Sequence, residues 1–204
     1  TISGNSGFRL LSTPVSGQIY YDLLDELWTQ DMTGADQVSA QGQDNVWTFD
    51  VSGQSWTALT DISSSGNSLT AGAGFLVYVY TDTDNDGDND LPITLSITGT
   101  VNQASVTVPS SGSIGANVWA LAGNPYAFTI DWDDVTKSNV ESTVYVYYNA
   151  KSGGAGYIEW NGSTGDLTGG LISAFQGFFI QATSSGSGTI TIDVADKSTS
   201  TGTF

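Results

Sequence analysis

The chain has no cysteine and no histidine, and only Arg9, Lys137, Lys151 and Lys197 stand against 21 acids. Without thiols or imidazoles there are no disulfides, no thiolate or imidazole catalysis and none of the usual ligands of structural zinc. A formal net charge of −17 opposes contact with phosphate backbones or anionic lipid, which excludes nucleic acid as a partner. No apolar run approaches the ~18 residues that span a bilayer, and residues 1–15 hold no signal-peptide core. The sequence therefore reads as a mature, soluble chain without membrane insertion. Cysteine usage leaves the compartment open. A surface rich in Ser, Thr, Gly, Asn and Asp favours the outside of the cell, where weak calcium sites fill, although a saline habitat would also account for the acidity.

Catalysis would have to rest on carboxylates, hydroxyls and four cations. A glycosidase needs two carboxylates ~5–10 Å apart, and 21 acids always offer such pairs, so their presence decides nothing. No Gly-x-Ser-x-Gly elbow can work without histidine, and no glycine-rich phosphate loop opens a helix. The chain is expected not to be an enzyme.

What is present is strand signal. With 39% hydrophobic and 11% aromatic residues the chain can bury a core. Short β-branched or aromatic runs cover residues 75–80, 93–97, 106–108, 144–148, 177–180 and 189–194, bounded by Gly, Ser, Asn and Asp. Two stretches read helically: Leu23, Leu24, Leu27 and Trp28 behind Asp22, and a short turn from Trp132 to Val140 behind Asp131. The fold class is all-β, two tandem related β-sandwich-like modules with short helical turns.

The tandem reading rests on self-similarity. Phe8-Arg9-Leu10 before Thr13-Pro14-Val15 resembles Trp119-Ala120-Leu121 before Asn124-Pro125-Tyr126, at a constant offset of 111 residues. Val46-Trp47-Thr48-Phe49 with Gly53 and Trp56 resembles Val144-Tyr145-Val146-Tyr147 with Gly156 and Tyr157. Ala73-Gly74-Phe75-Leu76-Val77-Tyr78 resembles Gln176-Gly177-Phe178-Phe179-Ile180-Gln181, and each is followed by a last strand. Order and residue type agree at four stations while loop lengths drift. The modules divide as 1–104 and 105–204, with residues 101–115 as the connection. Spacing alone leaves open whether they share one core.

These motifs also carry a resemblance. Residues 7–15, Leu24-Leu27-Trp28-Thr29-Gln30 by spacing, Gly34-Ala35-Asp36, Asn45-Val46-Trp47 and residues 72–78 resemble a repeated β module of secreted and surface proteins of Bacteroidota-type bacteria that use type IX secretion. Leu121-Ala122-Gly123-Asn124-Pro125-Tyr126, Ile130-Asp131-Trp132 and residues 175–179 resemble the second form of the same module. The resemblance implies export and a place in an adhesin, an accessory region or an extracellular assembly. The sorting domain it also implies has no counterpart in residues 197–204, a Ser/Thr tail, so cleavage, a fragment of a larger protein or another export route are all open.

The densest chemistry is Asp82, Asp84, Asp86, Asp88 and Asp90 around Gly87. Oxygens at relative positions 1, 3, 5, 7 and 9 with Gly at 6 begin a calcium-loop pattern, which then stops at Ile93 where an EF-hand has Glu. These five are the candidate Ca²⁺ ligands, against a solvated acidic loop between strands. Asp131, Asp133 and Asp134, like Asp22, Asp25 and Glu26, are explained as well by turn or helix capping. Trp56, Tyr157 and Trp160 fall near small polar loops and are candidates for stacking on sugar rings, whereas Trp47 and Trp119 recur as core positions. The expected function is an extracellular, calcium-stabilised, non-catalytic structural or adhesive subunit of a bacterial surface assembly or filament. Its expected partners are further copies or other surface proteins. The alternative is a carbohydrate-binding accessory module with a polysaccharide partner.

Overall fold

The computed structural model describes residues 1–39, 42–151 and 154–202. The protein is all-β, and among the described residues the one α-helix is a single turn, α1 (Tyr21–Leu24). Its Leu23 and Leu24 are buried, and Asp22 lies inside the turn, where its carboxylate accepts from the Ile19 N–H at 3.2 Å rather than capping the start. Three leucines supply one apolar turn and no more, so tertiary packing rather than propensity holds it.

The first sheet contains β1 (Gly7–Leu11), β2 (Val46–Asp50), β3 (Ser55–Ala58) and β4 (Phe75–Val79) in the order β1-β4-β2-β3. The chain then forms β5 (Val106–Val108), β6 (Trp119–Gly123), β7 (Ile130–Asp131), β8 (Thr136–Ser138), β9 (Val144–Tyr148), β10 (Gly156–Trp160), β11 (Leu171–Ile172), β12 (Gly177–Gln181) and β13 (Thr189–Ile192). Of these, β6-β12-β9-β10 make a second four-stranded sheet, β5-β13-β8 a third sheet, and β7 pairs with β11. Every strand pair is antiparallel.

Side-chain alternation gives each four-stranded sheet two apolar faces. From β4, Phe75, Val77 and Val79 enter a core with Leu23, Leu24, Met32, Ile62 and Leu69. From the second sheet, Ala120, Val144, Val146, Phe178 and Ile180 enter a separate core with Trp132, Ile190 and Ile192. The opposite faces meet in a third cluster, where Leu10 and Leu76 pack on Leu121 and Phe179 among Trp47, Phe49, Trp119, Tyr145 and Tyr147. Each half of the chain thus has its own core, and the two sheets are joined back to back through a layer of aromatic rings.

Contacts at one end of that layer are reciprocal. The Ser12 N–H donates to the Phe175 carbonyl, and the Gly123 N–H to the Gly72 carbonyl, each at 2.9 Å. Bridges pair Leu11 with Gln176 and Ala73 with Ala122. Position 11 plus 111 is 122, and 73 plus 103 is 176, so each bond exchanges the corresponding residues of the two halves, as across a two-fold axis. Gly74 and Gly177 allow this approach: a Cβ at Gly74 would lie 2.5 Å from the Ala122 carbonyl oxygen, and one at Gly177 would lie 2.8 Å from that of Leu11.

Three expectations change. Residues 93–97 form no strand: only Ile93 pairs, with Ile2, although half-buried Leu91, Ile93, Leu95 and Ile97 do pack on the first core. Alternation set an extended course, but a strand also needs a neighbour. Trp132 to Val140 is a turn leading into β8 rather than helix, because the Asp131 carboxylate accepts from the Asp133 N–H at 3.0 Å and closes a local turn. After Ile192 the expected strand gives way to a 3₁₀ turn, Val194–Asp196, whose start is closed by a capping box: the Asp193 carboxylate accepts from the Ala195 N–H and the Asp196 carboxylate from the Asp193 N–H. The Ser/Thr tail extends to Thr203 and Phe204, which lie outside the described residues.

Candidate functional sites

The acidic loop is closed by the Asp90 N–H donating to the Thr81 carbonyl at 2.9 Å. Inside it the carboxylates turn toward backbone donors. Asp82 accepts from the Asp86 and Gly87 N–H groups at 3.2 and 3.0 Å, and Asp86 accepts from the Asp88 N–H at 3.1 Å. Asn85 and Gly87 take left-handed conformations, φ 61° and 104°, that make these tight turns possible. Carboxylate oxygens of Asp82, Asp84 and Asp86 lie within 4.8 Å of one another. Asp88 and Asp90 stand outside that group, and Asp90 is engaged by the Thr83 N–H at 2.6 Å. Burial and then repulsion from Asp86 and Asp90 push the Asp84 carboxyl above its ordinary value, and repulsion from Asp86 and Asp90 pushes up that of Asp88. Three hard oxygens gathered at one point suit a calcium ion, which would take its remaining oxygens from water or backbone.

The aromatic layer opens at one side into a cleft of about 610 Å³ lined by Phe49, Gln54, Trp56, Trp119, Tyr145, Tyr157 and Phe179. Both halves of the chain contribute to it. Trp56 from β3 and Tyr157 from β10 are 38% and 43% exposed, and their ring centroids lie 5.8 and 6.0 Å from that of Phe179. The same two rings also wall a neighbouring cleft of about 400 Å³ with Phe8, Trp47, Leu76 and Tyr147. Sheet pairing thus brings together two of the three aromatic residues singled out in the sequence.

Trp160 lies elsewhere. Its position in β10 has the parity of Ile158, so it faces the second core, where Nε1 donates to Asp133 at 2.9 Å. Asp133 is thereby committed to a structural bond. Asp131 closes its own turn, and Asp22 secures Ile19, so neither acidic group converges on a metal-like centre. The chain matches no protein-family model, no curated protein and no solved structure.

Several positioning residues were not singled out as sites. Gln54 clips the two sheets together, donating to the Trp119 carbonyl at 2.9 Å and accepting from its N–H at 3.0 Å. Asn124 is buried and donates to the carbonyls of Phe128, Ile172 and Ser173 at 2.8, 3.1 and 3.0 Å, fixing the entry to β6's outgoing loop. Asn45 holds the Trp28 and Tyr78 carbonyls at 2.8 and 3.2 Å. Arg9 is buried, only 7% exposed, and donates to the carbonyls of Ser3, Asn5 and Phe8. Burial lowers its pKa. Asn in a short Asn-Pro motif was a legible signal; a buried Arg in a strand was not, since Arg is seldom buried without an acid.

Proposed function

We propose that this chain is a secreted, non-catalytic structural or adhesive subunit of a bacterial surface assembly, built from two copies of one β unit. The observation that carries the reading is the reciprocal weld between the two sheets. It makes one stiff block of two cores through paired backbone bonds and a shared aromatic layer, and mechanical continuity is what an assembly subunit requires. The motif resemblance supports export to the cell surface. In this reading Asp82, Asp84 and Asp86 hold a calcium ion, with Asp88 and Asp90 shaping the loop, and the ion stiffens a long corner of the first half.

A second reading is favoured by one specific feature. The cleft walled by Trp56 and Tyr157 offers exposed rings beside phenolic hydroxyls, the composition on which pyranose rings stack. The test is imaging of purified protein by electron microscopy alongside retention on polysaccharide gels. Filaments or arrays without polysaccharide retention are the expected outcome. A strict monomer that is retained on a polysaccharide, with retention lost in Trp56→Ala, overturns the structural reading in favour of a carbohydrate-binding module.

A further inference from the structure

The two clefts of the aromatic layer are mates. Phe8, Trp47, Leu76 and Tyr147 wall the smaller one, and their counterparts in the repeat, Trp119, Tyr145, Phe179 and Phe49, wall the larger, with Trp56 and Tyr157 shared by both. The match fails at two points. Phe179 stands where the smaller cleft has Leu76, so the larger one carries an extra ring. Arg9 is within electrostatic reach of Tyr147 at the smaller cleft, whereas among the described residues no Lys or Arg lines the larger one. Lys151, which donates to the Tyr157 carbonyl, lies on the other face of β10, because a Cβ at Gly156 would come within 3.7 Å of its Cδ.

Ring planes in the larger cleft meet at corners. Phe49 and Trp56 cross Phe179 at 89° and 84°, Tyr157 crosses it at 73°, and Trp119 crosses Tyr145 at 70°. Such rings wall a space on several sides, whereas stacking on a sugar uses one flat face. Hydrogen-bonding capacity is scarce here. The Gln54 amide is spent on the Val51 and Trp119 carbonyls and the Trp119 N–H, which leaves the Tyr145 and Tyr157 hydroxyls as the polar groups of the wall. A sugar would strand several hydroxyls in such a space. A quaternary ammonium has no N–H to satisfy, and its charge is drawn to the faces of aromatic rings.

One carboxylate stands beside this wall. Glu159 follows Tyr157 by two residues on β10 and shares its face, directly across from Tyr145 on β9. It is exposed, and among the described residues nothing pairs with its carboxylate. We propose that the cleft between Phe49, Trp56, Trp119, Tyr145, Tyr157 and Phe179 binds a small quaternary ammonium cation, with its methyl groups against the rings and its charge balanced by Glu159. The surrounding net charge of −17 concentrates such cations at the surface. The smaller cleft, one ring poorer and facing Arg9, does not take the ligand, so each chain binds one. This function stands apart from the assembly reading and agrees with a cleft that retains no polysaccharide.

The test titrates the intact protein with choline chloride, followed by calorimetry and tryptophan fluorescence, with sodium chloride as the blank. Saturable binding of one choline per chain is expected. The neutral isostere 3,3-dimethylbutan-1-ol should bind about tenfold more weakly, the share that ring–cation attraction supplies. Trp56→Leu, which keeps an apolar side chain and removes a ring face, should weaken choline about tenfold. Glu159→Gln should weaken choline about threefold and leave the neutral alcohol unchanged, and at an exposed site it also tests the idea if Trp56→Leu fails to fold. Equal binding of choline and the alcohol would make the cleft merely apolar and overturn the proposal. So would choline binding that neither variant changes, which would place the cation elsewhere on the acidic surface. A cello-oligosaccharide that shifts tryptophan fluorescence where choline does not would give the cleft to a sugar. Sedimentation with phosphatidylcholine vesicles without binding of free choline would replace the small cation by a membrane surface. Filaments are scored in the same samples by microscopy, so loss of choline binding and loss of assembly are read separately.

Discussion

The second sheet is closed on its far side by β5-β13-β8 and by Trp132, so its core lies between two hydrogen-bonded layers. The first sheet has the same strand order, yet its core is roofed by a one-turn helix, by Met32, Ile62 and Leu69 from loops, and by the segment 93–97, of which only Ile93 is paired among the described residues. What differs is backbone pairing rather than apolar content, since both roofs supply aliphatic side chains. Apolar burial alone can close a core, but a paired roof also fixes its register and resists local opening.

The largest test of that contrast replaces the same chemistry at matched positions. Ile190 is fully buried between paired strands, and Leu95 is half-buried in the unpaired segment. Ile190→Ala should cost about 4 kcal/mol in urea unfolding and Leu95→Ala about 1 kcal/mol, because only the first leaves a cavity that cannot collapse. Equal losses would show that the first roof is as firmly packed as the second.

The next test addresses what the halves share. Gly74→Val and Gly177→Val each drive a side chain into the other half's backbone, so each should cost about 3 kcal/mol, at the upper end of overpacking. The reciprocal contacts predict similar values for the two. If one were costless, the weld would be one-sided and the two-fold description of the joint would be wrong.

The pattern of side chains made much of this fold legible. Val144 to Tyr148 and Phe75 to Val79 form strands where β-branched and aromatic residues alternate, and Phe8 with Trp119 marks equivalent strands because each carries a large ring on the inter-sheet face. The strands β7, β8 and β11 were not legible, being two or three residues long and defined by their partners. Residues 93–97 misled for the same reason in reverse: local alternation was present and the partner was not. At the sites, loop chemistry placed Asp82, Asp84 and Asp86 together because turns fix near neighbours. Trp56 and Tyr157 are 101 residues apart, and only the joining of two sheets makes them walls of one cleft. Trp160 shares a strand with Tyr157 and points the other way, a parity that composition cannot reveal.

The smallest effect concerns the corner that the halves turn differently. After β4 the chain passes through five aspartates; after β12 it turns with Thr183-Ser184-Ser185-Gly186-Ser187-Gly188. Asp84 and Asp88 have carboxyl pKa values raised above the ordinary range, by burial and repulsion for the first and by repulsion for the second. A carboxyl raised in the folded state holds its proton more tightly there than in the unfolded chain. Its favourable contribution is therefore present at low pH and is lost as pH rises from the unfolded value of ~3.9 through the raised folded value. In EDTA, the melting temperature of the native protein relative to Asp84→Asn/Asp88→Asn should fall as pH rises across that window. Calcium reverses the trend, because the ion binds the ionised loop: added at pH 7 it should raise the melting temperature of the native protein, by an amount equivalent to about 2.7 kcal/mol at a hundredfold excess over Kd, and the gain should vanish toward pH 4. Asp50 and Asp193, whose values are lowered by hydrogen bonds to Ser52 and Ser105, act with the opposite sign at lower pH and cancel in the comparison with the variant. A difference between the two proteins that is the same at pH 4 and pH 7 in EDTA would mean that the loop stores no repulsion for a cation to relieve, and the two corners would then be equivalent despite their charge.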